Sequence, residues 1–124
     1  MAKSVHNDVL DAALAEIATA TRMVACSAEP ANFAGIAAVA LADITLTAGV
    51  GGGDYTVADG DTSGRKLTVA AQSGVTIDTS GTATHVSLDD GTTLQYVTTC
   101  TSQGLTAANT VNFPAFDIEI ADPS

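Results

Sequence analysis

From Gly64 to Thr99 the chain runs through RKLTVAAQ, SGVTID, TSGTATHVSL and DDGTTLQYVTT, with apolar residues at every second position between turn-forming pairs. A strand with one buried and one wet face produces this period, because successive side chains point to opposite sides of the pleat. A helix does not, since its buried stripe recurs at three and four residues. The run predicts neighbouring antiparallel strands and a mainly β chain. Leu67, Val69 and Ala71 share one face of the first strand, Ser73-Gly74 turns it, and Val75 and Ile77 mark the next. Thr79-Ser80-Gly81 turns again, Val86 and Leu88 lead into Asp89-Asp90-Gly91, and Leu94, Tyr96, Thr98 and Cys100 lie on one face of a longer strand.

The flanks follow other rules. Asn7 is placed to cap a helix with Asp8 and Asp11 in its first turns, and Leu10, Ala13, Leu14 and Ile17 form one stripe, predicting a helix over 8–20. Met23 to Cys26 reads as a short strand before the stop at Glu29-Pro30. Residues 31–42, ANFAGIAAVALA, mix helix-favouring alanine with Gly35, Pro30 and Asn32, and read as an irregular crossing. From Asp43 the period is two, GVGGG at 49–53 is a wide loop, and Tyr55 and Val57 mark a strand closed by DGDTSG. After the loop SQGLTAANT comes a last extended segment with Val111, Phe113, Phe116, Ile118 and Ile120, and Pro114 sets it at an edge or bulge. About seven or eight short strands predict a β-sandwich or jelly-roll-like antiparallel domain over 43–120, with one N-terminal α-helix packed on it. A length of 124 residues is expected to form a single domain, 1–124, able to bury a core without disulfides or metal.

Composition narrows the function. A formal net charge of −10 repels a phosphate backbone, and Lys3, Arg22, Arg65 and Lys66 form no basic patch, so nucleic acid is not an expected partner. Aromatic residues make up only 4% of the chain, which suits thin β-structure rather than a deep ligand pocket and argues against a small-molecule enzyme. Cys26 and Cys100 are too few for a disulfide framework or a zinc site and read as free thiols. The apolar run Phe33 to Ala42 falls short of the roughly 20 residues of a membrane span, so no membrane contact is expected. MAKSVHNDVLDAAL has polar and acidic residues where a secretory signal carries its apolar core, so export by that route is not expected.

Four patterns resemble chemical motifs. Asp59, Asp61, Ser63 and Gly64 imitate the start of a calcium loop, but Lys66 follows and Ala70 stands where the bidentate glutamate belongs. The reading is a polar turn and no metal, with Asp59 and Asp61 as the residues to check. DTSG occurs at Asp61 to Gly64 and at Asp78 to Gly81, each time introducing a strand. Its extra serine breaks the Asp-Thr-Gly of aspartic proteases, and turn capping explains both copies. His85 and Ser87 share a strand face without the acid or oxyanion hole of a triad, and His85 is expected on the solvated face. GVGGG lacks the strand-turn-helix context of a phosphate loop. No catalytic residue and no cofactor is expected.

Three stretches, NDVLDAALAEIATATRMVACSAEPANF, SGRKLTVAAQSGVTIDTSGTATHVSL and YVTTCTSQGLTAANTVNFPAFDIEIADPS, resemble small virion proteins of tailed bacteriophages. The resemblance rests on the helix, short strand and Ser-x-Glu-Pro stop, the Gly-Arg-Lys that opens the alternating run, and the Asp-Ile-Glu-Ile-x-Asp-Pro ending. It implies a non-enzymatic particle component located in the virion, with head decoration or cementing as first choice and a neck or tail role as the alternative. The implied partners are the major capsid protein or other virion proteins, and further copies of the chain in a homo-oligomer. Contacts are expected from Phe33, Ile36, Val39 and Leu41 on the crossing and from Leu105, Phe113, Pro114 and Phe116 near the end. A β-sandwich module that binds carbohydrate or a host surface is the reading from a different class, and few aromatic rings are present to stack on sugars.

Overall fold

A computed structural model describes residues 4–123; positions 1–3 and 124, included in the expected 1–124 domain, lie outside the described residues. The chain is mainly β, with antiparallel sheets and one N-terminal helix, α1 (Asn7–Ile17). The helix starts one residue before the expectation, because the imidazole of His6, not Asn7, caps it: the Asp8 N–H donates to His6 Nδ1 at 3.1 Å. It ends before residue 20, because the Thr19 hydroxyl and N–H both donate to the Glu16 carbonyl, at 2.6 and 3.2 Å. The buried stripe is narrow, with Leu10 and Leu14 inside and Ala13 exposed.

The central sheet has the order β2-β1-β6-β7, formed by β1 (Arg22–Cys26), β2 (Ala40–Thr45), β6 (Gly81–Asp89) and β7 (Leu94–Leu105). β1 is buried on both faces. Met23 and Ala25 face the main core, while Val24 and Cys26 face a smaller cluster closed by Ile36. That cluster accounts for the crossing. Residues Phe33–Gly35 form a 3-10 turn capped by Asn32 Oδ1, which accepts from the Gly35 N–H at 2.9 Å, and Ile36–Val39 form a single helical turn, α2. The expected irregular crossing over 31–42 is corrected at its end: Ala40, Leu41 and Ala42 already belong to β2. The sandwich likewise begins before residue 43, since β1 lies between β2 and β6.

Opposite the central sheet lie α1, a three-stranded sheet β3-β4-β9 and a two-stranded sheet β5-β8. These strands are β3 (Tyr55–Asp59), β4 (Arg65–Val69), β5 (Gln72–Thr76), β8 (Thr110–Phe113) and β9 (Phe116–Ile120). A jelly roll uses eight strands in two sheets; here nine strands, among the described residues, fall into three. The alternating run from Gly64 to Thr99 is therefore not one ladder. β4 pairs with β3 and β9, β5 pairs with β8, and β6 pairs with β7 and β1. The chain leaves the first sheet after Val69, where the Ala70 N–H donates to the Asp54 carbonyl at 2.8 Å and Ala71 is exposed. Ser73-Gly74, read as a turn, is a bulge inside β5: Gly74 has φ +68, and its N–H donates to Asn112 Oδ1 at 2.9 Å. Likewise the first residues of SQGLTAANT, Ser102 to Leu105, continue β7. β9 is an edge strand, as Pro114 implied.

Tyr55, Leu67, Val69, Leu14, Met23 and Leu88 are fully buried in the main core, each contributing roughly 1.5–3 kcal/mol of transfer free energy. The Tyr55 hydroxyl donates to the Ala20 carbonyl at 2.9 Å, tying the three-stranded sheet to the end of α1. Both DTSG segments introduce strands. In the first, Gly64 (φ +68) is obligatory, because a Cβ there would lie 1.9 Å from the Ile120 carbonyl oxygen. In the second, Ser80 Oγ accepts from the Ala107 N–H at 2.9 Å.

Candidate interaction surface

The side chains expected to make contacts divide by burial. Ile36, Leu41, Leu105 and Phe113 are core residues with 1–6% exposure, and of these only Leu105 and Phe113 also reach the wall of a surface cleft. The physical reason is local: Ile36 closes the smaller cluster, while Leu41, Leu105 and Phe113 belong to the main one. Phe33, Val39 and Phe116 are half-buried and Pro114 is exposed.

Two clefts take in part of the apolar surface, while Val9 and Val50 stand exposed outside both. The first, about 490 Å³, lies between the crossing and the β6–β7 turn, lined by Asn32, Phe33, Ala34, Thr92, Thr93 and Leu94. Asp90 organises that turn. It accepts from the N–H groups of Thr92 (2.9 Å) and Thr93 (2.7 Å), and these backbone bonds pull its carboxyl down to about 2. The second cleft, about 370 Å³, runs between β7 and the β8–β9 corner, with Val86, Cys100, Phe113, Pro114 and Phe116 along it. A further space of about 200 Å³ beside Val111 and Leu105 shares Val86, Cys100, Thr101, Phe113 and Pro114 with it. Val86, Cys100 and Thr101 were not among the expected contact residues. The signal for Cys100 and Thr101 in the sequence is the long uncharged run LQYVTTCTSQGL.

The described lysine and arginine side chains are each engaged with carboxylates. Arg65 donates to Asp11 through Nε and to Asp59 through Nη1, both at 2.7 Å, fastening α1 to the β3–β4 hairpin. Lys66 donates to Asp61 at 2.7 Å and lies 3.5 Å from Asp117. These bonds, to Asp11 first for Arg65 and to Asp61 first for Lys66, raise the affinity of both cations for their protons. The carboxylates of Asp59 and Asp61 are thus turned toward side-chain cations. No group of three or more His, Cys, Asp or Glu able to hold a metal occurs among the described residues. Arg22 donates to the buried Asp89 at 2.9 Å, and Asp89 also accepts from the Gly91 N–H at 3.0 Å. Burial, then a hydrogen bond shared with Asp78, pushes the Asp43 carboxyl above its usual range.

The His85 face is not solvated as expected. Ser87 is fully buried opposite Val24, with its hydroxyl 3.8 Å from Cys26 Sγ, and His85 is half-buried with Nδ1 2.8 Å from the Thr84 hydroxyl. The crossing covers this face, which removes Ser87 from any substrate. Cys26 lies opposite His85, which lies opposite Thr99, so Cys100 falls on the other face of the sheet; both thiols are free. Burial pushes both thiols up, leaving them poor nucleophiles. The GVGGG loop is pinned at its flanks, with the Gly49 N–H donating to the Ala18 carbonyl (2.9 Å) and the Thr47 N–H to Asp54 Oδ2 (2.6 Å). Among the described residues no helix is long and apolar enough to cross a membrane. No protein-family model matches this sequence, and no curated protein or solved structure matches it either.

Proposed function

We propose that the chain is a non-enzymatic structural protein of a tailed-bacteriophage particle, seated on the outside of the head and binding the major capsid lattice as a decoration or cement protein. The observation that carries this reading is the placement of three of the remaining surface apolar side chains. Phe33 lies in a cleft on one face of the central sheet, and Pro114 and Phe116 line a cleft on the other. A protein that holds neighbouring subunits together gains affinity from area spread over several shallow contacts, and two clefts on opposite faces suit that task. The resemblance of the three sequence stretches points the same way. The net charge of −10 carries no penalty outside a DNA-filled shell. Presentation in many copies on a symmetric shell sets equivalent copies side by side.

The carbohydrate-module reading loses one of its few rings, because Tyr55 is fully buried with its hydroxyl bonded to backbone. Cryo-electron microscopy of purified particles tests the proposal. Hundreds of copies on the capsid surface are expected. A dozen or fewer at the portal end moves the chain to the neck or tail, and absence from the particle overturns the virion role.

A further inference from the structure

The two edges of the central sheet are treated differently. At β2 the Leu41 carbonyl accepts from the N–H groups of Asp78 (2.8 Å) and Thr79 (3.1 Å), and Ala42 bridges Ile77, so the chain covers its own edge. β7 is last in the order β2-β1-β6-β7 and, among the described residues, has a strand partner on one side only. It is also the longest strand, 12 residues, and contains no Lys, Arg, Asp, Glu or Pro. Open edges ordinarily carry such residues, because unpaired N–H and C=O groups template the addition of another strand. The β6–β7 register shifts between Ala83 and His85 and between Leu88 and Asp89, leaving Tyr96 to Thr99 as a regular stretch.

Beneath that edge the two layers are not closed. The cleft of about 370 Å³ and its neighbour of about 200 Å³ run between β7 and the Phe113-Pro114-Phe116 corner, with Val86 and Cys100 lining the first. In a strand laid along β7, alternate side chains point to the face that Val86 occupies, and so toward the cleft. The edge supplies ladder hydrogen bonds and the cleft supplies apolar space, the two parts of strand-addition recognition.

Charge selects the occupant. The chain carries a net charge of −10, and its described Lys and Arg side chains, Arg22, Arg65 and Lys66, are each already bonded to a carboxylate. A second copy therefore brings acidic surface to acidic surface, with its described cations committed elsewhere. We infer that β7 and the cleft below it accept an extended segment of a partner protein, apolar at alternate positions and flanked by Lys or Arg. The inference goes beyond the virion reading and holds for whatever assembly the chain joins.

The test uses the full chain with two synthetic peptides, KKVTITVTKK and its charge-reversed form EEVTITVTEE, followed by fluorescence anisotropy and by amide hydrogen exchange. The Lys-flanked peptide is expected to bind with a Kd on the order of 10–100 μM and to slow exchange within Tyr96 to Thr101. The Glu-flanked peptide should bind at least about tenfold more weakly. Thr101 is exposed and lines both spaces, so Thr101→Lys should leave the far-UV spectrum unchanged and weaken the Lys-flanked peptide about tenfold. Four results overturn the inference: no binding at about 1 mM, equal affinity for the two peptides, protection confined to other strands, or a free-chain dimer paired through β7.

Discussion

Tyr55→Phe isolates one hydroxyl at the centre of the molecule. The ring is fully buried, and its oxygen donates to the Ala20 carbonyl at 2.9 Å, where α1 hands over to β1. Phenylalanine keeps the ring and its packing but strands that buried carbonyl, which costs about 1–2 kcal/mol and roughly 4–8 °C in Tm. Burial also pushes the Tyr55 hydroxyl up to about 12 from the ordinary 10, with Asp54 and Asp89 adding to the effect. A folded value above the unfolded one means that the neutral phenol favours the fold. The stability this contributes is complete below about pH 10 and is lost as pH rises toward 12, a loss of roughly 2 kcal/mol at pH 12. The variant has no such group, so the difference between the two proteins should shrink above pH 10 and reach zero or change sign by about pH 12. Urea titration followed by far-UV circular dichroism measures both effects, since the chain has no Trp. A variant within about 0.3 kcal/mol of the parent at pH 7, with a parallel pH profile, would refute the buried bond.

Three further perturbations test the supports of the surface. Gly64→Ala forces a Cβ to 1.9 Å from the Ile120 carbonyl oxygen at a φ of +68, and should cost on the order of 3 kcal/mol or more by urea titration, because strain and displacement of β9 add. Arg22→Ala leaves the Asp89 carboxylate buried without its cation and should cost about 2–3 kcal/mol, an effect that Arg22→Lys rescues in part. Asp90→Asn should lower Tm at pH 7. The folded carboxyl lies near 2, below its unfolded value, so the stability it contributes is present above the unfolded value and is lost as pH falls toward 2; the two melting curves should converge there.

What could be read from the sequence divides along a physical line. Local rules held where one segment decides its own state. Leu10 and Leu14 mark the helix, Pro114 marks an edge, and each DTSG introduces a strand. Pairing was not legible, because alternation tells which face is buried and says nothing about which strand lies alongside. Ser73-Gly74 suits a tight turn and a bulge equally, and only the distant Asn112 decides between them. Ala70-Ala71, with neither Gly nor Asn nor Asp, was a usable sign that β4 does not fold back on β5. The expected contact residues divide between core and surface for a related reason. Apolar side chains in an irregular segment serve as anchors as readily as they serve as contacts, and Ile36 and Leu41 are anchors.

The division of the alternating run among three sheets also locates the open surface. Had β4 through β7 formed one continuous ladder, its two edges would have been β4 and β7, and the layer opposite would have lacked a sheet of its own. Instead β4 and β5 are drawn away to pair with β9 and β8, which carries the C-terminal strands beneath the central sheet. Ile77, at the end of that detour, then bridges Ala42 and covers the β2 edge. The detour leaves its corner, Pro114 to Phe116, facing the core side of β7 without reaching it, and the cleft is the space between them. Closed edge and open edge are therefore consequences of the same crossing. A change that returned β5 to β4 would be expected to remove both.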